Sequence, residues 1–448
     1  MKYRFVHALY QDALYRSLGP TRRASTSAAV AHALATAWAG QVNARSAELG
    51  YLYEAARDFS RAAEFFLIAS ERARQIFADR DALALARRAM TNLQALPESP
   101  ERASREVMHL MAIALPMHSV HGYAARELEA TYARARQLCD ELGEHPLRFG
   151  VITGISAFHF MRAELRTTEQ LIDKLLRLSA QTGNPVMRIW ALWVHGSTYS
   201  HIGEKYDEAF ARLDEGVGLY TRDLHPAFML LTGFDAGIGC QMQAARLAWV
   251  LGRADEAVAR SAAALQQARD LRHPLMVGFG LFFHAWVLQH RDEPELVLAA
   301  TDEAKSLSGR YGYPQIAAWT QMLNGWARAR LGQPAEGEAV IREGIAATDA
   351  MGITLLRPTF LAYLAETRMI QGDAAGAFDI LTHAAELADR SDEGCWLPEI
   401  RRLIAEARLQ RGDSRRLVEA SLHEGLAAAL HQGAVGFAQR IEARLGRL

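Results

Sequence analysis

Sixteen histidines in 448 residues offer this sequence metal ligands and proton carriers that work near neutral pH. His195 and His201, like His284 and His290, stand six residues apart. That spacing turns the two rings to different faces of a helix, whereas helical zinc ligands use spacings of three or four. A metal site is therefore not expected. Nucleophilic chemistry has no better footing, because no G-x-S-x-G occurs and Cys139, Cys240 and Cys395 make no C-x-x-C pair. No cofactor and no catalytic residue is expected, although a site assembled from distant segments would leave no such signature.

A different pattern joins some of the same residues. His195, His284 and Asn324 each lie ten residues after a proline and eight before a turn position, so they hold equivalent places in three repeats. If the first helix of each repeat lines a concave surface, they form a polar row with Tyr199, Gln321 and Arg328, a candidate groove for a partner or ligand. The competing reading places them between helices, hydrogen-bonded and structural.

The elements that must position these side chains come from an internal repeat. Turns of the form Gly-x-x-x-(Glu/Gly)-Ala recur at Gly252–Ala257 and Gly372–Ala377, with Gly332–Gly337 and a weaker Gly412 in step; Gly332, Gly372 and Gly412 are 40 apart. Asp292 fills the position between Gly252 and Gly332. Gly203 precedes Gly252 by 49, which predicts an insertion of about nine residues near Val217 to Pro226. Prolines at 146, 185, 226, 274, 314, 358 and 398 advance in similar steps and precede apolar stretches, as suits proline at a first helical position. Phe279, Phe282, Phe283 and Trp286, and again Trp319, Met322, Leu323 and Trp326, follow helical offsets. Each repeat is thus a helical hairpin that must stack on its neighbours. The expected fold is all-α, a tetratricopeptide-like solenoid wound as a right-handed superhelix. Regular repeats are expected over 146–448, less regular helices over 21–145, and a winged-helix remnant over 1–20.

Trp190, Trp193, Trp286, Trp319 and Trp326 read as core before partner hot spots. The run Arg401, Arg402, Glu406 and Arg408 reads as a solvated helix face. Fifty basic residues against fifty-one acidic ones give a net charge of −1, no general field for nucleic acid or an anionic membrane. The most apolar stretch, Leu275 to Gln289, is too short to cross a bilayer and reads as a buried helix. No secretory signal opens the chain, and the three scattered cysteines suit a reducing cytoplasm.

The opening run from Tyr3 to Leu18 (YRFVHALYQDALYRSL) and the segment from His121 to Cys139 (HGYAARELEATYARARQLC) resemble the C-terminal half of bacterial multidomain signalling proteins. Those proteins join a P-loop ATPase, often preceded by a class III adenylate cyclase domain, to a tetratricopeptide-like array. No G-x-x-x-x-G-K-[ST] is present, so the resemblance implies the sensory or scaffolding half alone, as a fragment or a stand-alone relative. The function expected is a non-catalytic scaffold that binds a protein or peptide partner in its concave groove and has a regulatory role. Two alternatives are a small-molecule sensor with an enclosed apolar pocket near the insertion, walled by the Trp190 to His201 helix, and an enzyme repurposed from the repeat scaffold.

Overall fold

The structure, a computed structural model, describes residues 17–38, 42–143 and 145–448. Most of the expected remnant at 1–20 lies outside the described residues. Among those described there are twenty-two α-helices and no strand, an all-α helical-repeat fold. They divide into two compact units, one of residues up to 117 with 131–148, the other of 118–130 with 149–448.

In the first unit, helices α1 (Pro20–Ala37), α2 (Ser46–Ala55), α3 (Phe59–Gln75) and α4 (Asp79–Gln94) precede α5 (Pro100–His121) and α6 (Arg126–Leu142); the last two cross the unit boundary. Leu49, Tyr53, Ala62, Phe66 and Ala89 form a small core here. Asp58 caps α3 by accepting from the Arg61 amide.

The second unit is the regular array: α7 (Arg148–Met161), α8 (Leu165–Thr182), α9 (Pro185–Ile202), α10 (Tyr206–Leu219), α11 (His225–Leu231), α12 (Ala236–Val250), α13 (Ala254–Asp270), α14 (Pro274–His290), α15 (Pro294–Tyr311), α16 (Pro314–Arg330), α17 (Pro334–Ala350), α18 (Arg357–Ile370), α19 (Ala374–Ser391), α20 (Leu397–Gln410), α21 (Arg415–Gln432) and α22 (Val435–Leu445). Pro185, Pro274 and Pro314 open their helices, whereas Pro146 lies in the turn before α7. At the hairpin turns Gly252, Gly332 and Gly372 take φ near +85°, and Asp292 takes +60° at the equivalent place. The insertion is α11 with its flanking loops.

Two layers follow from composition. The first helices of the hairpins are apolar on nearly every side and buried accordingly: sixteen of the seventeen residues of α14 are buried. The second helices bury one stripe of small residues, such as Gly337, Ile341, Gly344 and Thr348 in α17. Helices α16 and α17 approach closely: a Cβ added to Gly337 would stand 2.4 Å from the Gly325 carbonyl oxygen. Backbone cannot yield there as a side chain can. Gly337→Ala is expected to cost about 1–3 kcal/mol, read as a lowered urea midpoint.

Successive levels of the superhelix touch. The Tyr123 amide donates to Gln315 Oε1 at 3.3 Å, across 192 residues. At similar offsets the amides of Thr354 and Leu355 donate to the Met161 carbonyl, both at 3.1 Å, and Trp249 meets Phe437 edge-on at 5.0 Å. One superhelical turn therefore takes nearly five of the roughly 40-residue repeats. The short pitch brings aromatic side chains from several first helices together around the axis.

Candidate functional site

Two of the cavities of the second unit are lined by side chains of its first helices, and helix register decides which side chains reach them. On α9, Trp190, Trp193 and His201 face the axis; on α14, Phe279, Phe282, Phe283 and Trp286 do so; α16 supplies Trp319. Together with Phe234 from the insertion they line a narrow aromatic cleft whose cavity volume is about 30 Å³. All five tryptophans singled out in the sequence are buried.

Four residues of the polar row, His195, Tyr199, His284 and Gln321, lie one or two positions away in sequence from these axis-facing residues, and Asn324 and Arg328 lie five and nine from Trp319; each offset is a rotation of roughly 100–200° around the helix. His195 Nε2 is 3.4 Å from Glu208 on α10, and burial lowers its pKa. Tyr199 donates to Glu169 on α8 at 2.8 Å. His284 Nδ1 is 2.9 Å from the Ser261 hydroxyl on α13. Asn324 donates to Thr301 and Asp302 on α15 at 2.9 and 3.0 Å and accepts from Arg328 at 2.8 Å. Arg328 reaches on to Glu336 at 3.3 Å. Gln321 lies against α17, its Cβ 3.1 Å from where a Gly344 Cβ would stand. The structure brings His195 to Tyr199, their rings 4.8 Å apart, and Asn324 to Arg328, while His284 stands apart from both pairs.

The cleft continues into buried polarity. Arg246 of α12 is 1% exposed; it donates to the Ser200 carbonyl at 3.1 Å and to Gln243 Oε1 at 3.3 Å, with its guanidinium 5.0 Å from the Trp286 ring centre. His201 Nδ1 lies 2.8 Å from the Ser197 carbonyl, and burial holds its pKa down at about 3, so the ring is neutral. Asp235 organises the insertion: fully buried, it accepts from Tyr220 at 2.8 Å and sits 2.7 Å from His225 Nδ1, while its other oxygen caps α12 through the amides of Gly237 and Ile238.

The second cavity is a wider basin of about 450 Å³. Asp292, Glu366, Glu399 and Glu406 line it with Arg330, Arg402, Arg440, Arg444 and Arg447. Burial would raise the Glu399 carboxyl, but Arg402 and Arg440, each donating at 2.9 Å, hold it at about 2. Glu366 goes the other way: burial raises it against the pull of Arg402, Arg330 and the Trp326 N–H.

This corrects the solvated-face reading of the arginine run on α20. The Arg402 side chain is 16% exposed and pairs with Glu399 and Glu406, and Arg444 of α22 pairs with Glu406 at 2.6 Å. Arg401 pairs with Glu424 on α21, and Arg408 packs over Phe378. The basin had no sequence signal beyond charge spacing, because its partners come from α14, α16, α18, α20 and α22.

No family model matches the chain. One curated relative, an uncharacterized protein of Rhizobium meliloti (strain 1021), is 22% identical over 208 residues, 46% of this chain. The match spans only 20% of that protein's length. Among solved structures, a Rap protein complexed with competence and sporulation factor superposes with a TM-score of 0.57 at 12% identity, covering 87% of this chain and 99% of that one. The fold is shared. The Rap conjugation gene regulator of plasmid pLS20, in complex with the Phr* peptide, is similar at a TM-score of 0.48 and 14% identity, over 85% of this chain and 96% of that one. Among the described residues no helix is long and apolar enough to cross a membrane.

Proposed function

We propose that the second unit is a non-catalytic regulatory recognition module that holds an acidic segment of a protein or peptide partner against the charged basin. One observation carries this reading: five guanidinium groups line the basin against four carboxylates, and among the described residues the exposed Arg447 has no carboxylate partner. Surplus arginine in a wide opening suits carboxylate recognition. The Rap protein of similar fold is seen complexed with competence and sporulation factor, and regulatory binding of that general kind is the role taken here.

In this reading His195, Tyr199, His284, Gln321, Asn324 and Arg328 hold the hairpins in register around the basin. The resemblance to ATPase-linked signalling proteins would make the module the sensory half of such an assembly. Its proposed setting is the cytoplasm, in keeping with three free, buried cysteines.

Labelled glutamate-rich, lysine-rich and neutral peptides, titrated against the chain and followed by fluorescence anisotropy, test the reading. The glutamate-rich peptide should bind, weaken with added salt, and lose about five- to tenfold in affinity in Arg447→Glu, with the melting temperature unchanged. Equal binding of the three peptides, or an unaffected Arg447→Glu variant, would overturn it.

A further inference from the structure

A third cavity of the second unit, of about 550 Å³, shares no residue with the basin and falls within the roughly 300–1,000 Å³ of small-molecule pockets. It lies where two levels of the superhelix meet. The end of α5 and the start of α6 line it together with the end of α17, Pro314 at the head of α16, and Arg162 just after α7. The loops that frame it are pressed together. A Cβ added to Gly122, at φ +85°, would stand 3.2 Å from Met351 Sδ, and one added to Gly352, at φ +71°, 3.1 Å from the Ala124 carbonyl oxygen. The bond from the Tyr123 amide to Gln315 ties the same levels. His121, Arg126 and Arg162 are exposed, so the cavity stands open to solvent as it is.

Its charged groups are unequally satisfied. Arg126 and His121 have no partner among the described residues. Arg162 uses its Nε on Glu164, at 2.8 Å, and among the described residues neither of its terminal amino groups has an acceptor. The carboxylates are in the opposite state: both oxygens of Asp349 are bonded by Arg357, at 2.5 and 3.2 Å, and Glu127 is not free either. Unmatched donors around a cavity whose acceptors are occupied suit an anion. Two guanidinium forks from separate elements can use more oxygens than one carboxylate offers, whereas a phosphate monoester brings three strong acceptors. Val120, Pro314 and Met351 add apolar surface, against which the organic body of an ester is removed from water.

We propose that this cavity binds a small-molecule phosphate monoester, its phosphate held between Arg126 and Arg162 and its apolar body against Val120, Pro314 and Met351. Calorimetric titration of the full chain with phenyl phosphate tests this, with benzoate and benzyl alcohol as the carboxylate and uncharged comparators. Phenyl phosphate should bind saturably at one per chain, benzoate about tenfold more weakly, and benzyl alcohol not measurably. Arg126→Ala and Arg162→Ala should each lower the affinity about tenfold or more, as loss of a charged hydrogen bond does, and Arg126→Lys, which keeps the charge without the fork, should fall between. Arg126 is exposed and bonds nothing, so its variants fold as the unaltered chain does. Excess glutamate-rich peptide should leave the titration unchanged, which separates this cavity from the basin. Absence of saturable binding, equal binding of benzoate, displacement by the glutamate-rich peptide, or affinity that survives both alanine variants would overturn the proposal. A phosphoserine peptide that binds more tightly than phenyl phosphate would assign the phosphate to a protein partner and overturn the small-molecule reading.

Discussion

Glu393→Gln is expected to make the protein more stable than the unaltered chain at pH 9, by on the order of a few kcal/mol, while changing little at pH 5. The Glu393 carboxyl is 1% exposed; one oxygen accepts from the Leu356 amide and the other has no partner. Burial pushes its pKa up to about 8 from the ordinary 4.5, against the lowering effect of the Leu356 N–H and the charges of Arg246 and Arg357. Between those values the folded chain holds a proton that the unfolded chain has lost. The contribution is complete below about pH 4.5 and is lost as pH rises through about 8.

Glutamine keeps an oxygen for the Leu356 amide and has nothing to titrate. On the acid side His118 and His201, each lowered to about 3 by burial, contribute stability that is present above 6.5 and lost as pH falls. These groups together place the stability maximum near pH 6.5, and denaturant midpoints across pH 4 to 9 read both arms. A Glu393→Gln profile parallel to that of the unaltered chain above pH 7 would show that this carboxyl is ionised in the fold.

The second large effect is expected at Arg402. Arg402→Met should cost about 3–5 kcal/mol, because it strands carboxylates that are already out of water. Glu399, 4% exposed, would lose both Arg402 bonds, at 2.9 and 3.0 Å, and keep only Arg440. Glu366 would lose one of the charges that offset its burial. By contrast, Arg415→Met breaks an exposed pair with Glu419 and should change stability by less than about 0.5 kcal/mol. Urea unfolding of the two variants side by side makes the comparison. A small loss at Arg402 would mean that the basin is wet enough to solvate Glu399 unaided.

The array was legible because turns and apolar stripes repeat locally: Gly252, Asp292, Gly332 and Gly372 stand at the turns that their spacing indicated, and the apolar run from Leu275 is a buried first helix. Superhelical pitch was not legible. It is set by small rotations at each hairpin interface, and the 192-residue reach from Tyr123 to Gln315 has no counterpart in a 40-residue pattern. For the same reason the aromatic cleft and the charged basin escaped the sequence. Trp319 and Trp326 sit two turns apart on one helix, and only the winding sends the first to the cleft and the second to the basin. The row from His195 to Asn324 was legible as a register. Which flank of the helix it occupied depended on which face the tryptophans took, and their burial against neighbouring repeats is a tertiary fact. Arg402 looked like surface charge because Glu399 and Glu406 lie within a helical turn of it, whereas Arg440 and Arg444 reach the same carboxylates from α22.

Recognition at the basin is tested most directly by placing a photo-reactive benzoylphenylalanine at position 447, with Ala262 on the exposed flank of α13 as the comparison site, and illuminating each chain in lysate of its own source. Mass spectrometry of the cross-links should find an acidic segment of one partner joined at position 447 and absent at 262, and excess glutamate-rich peptide should displace it. Cross-links of the same proteins at both positions, or at 447 to segments without acidic residues and indifferent to the competitor, would contradict the account.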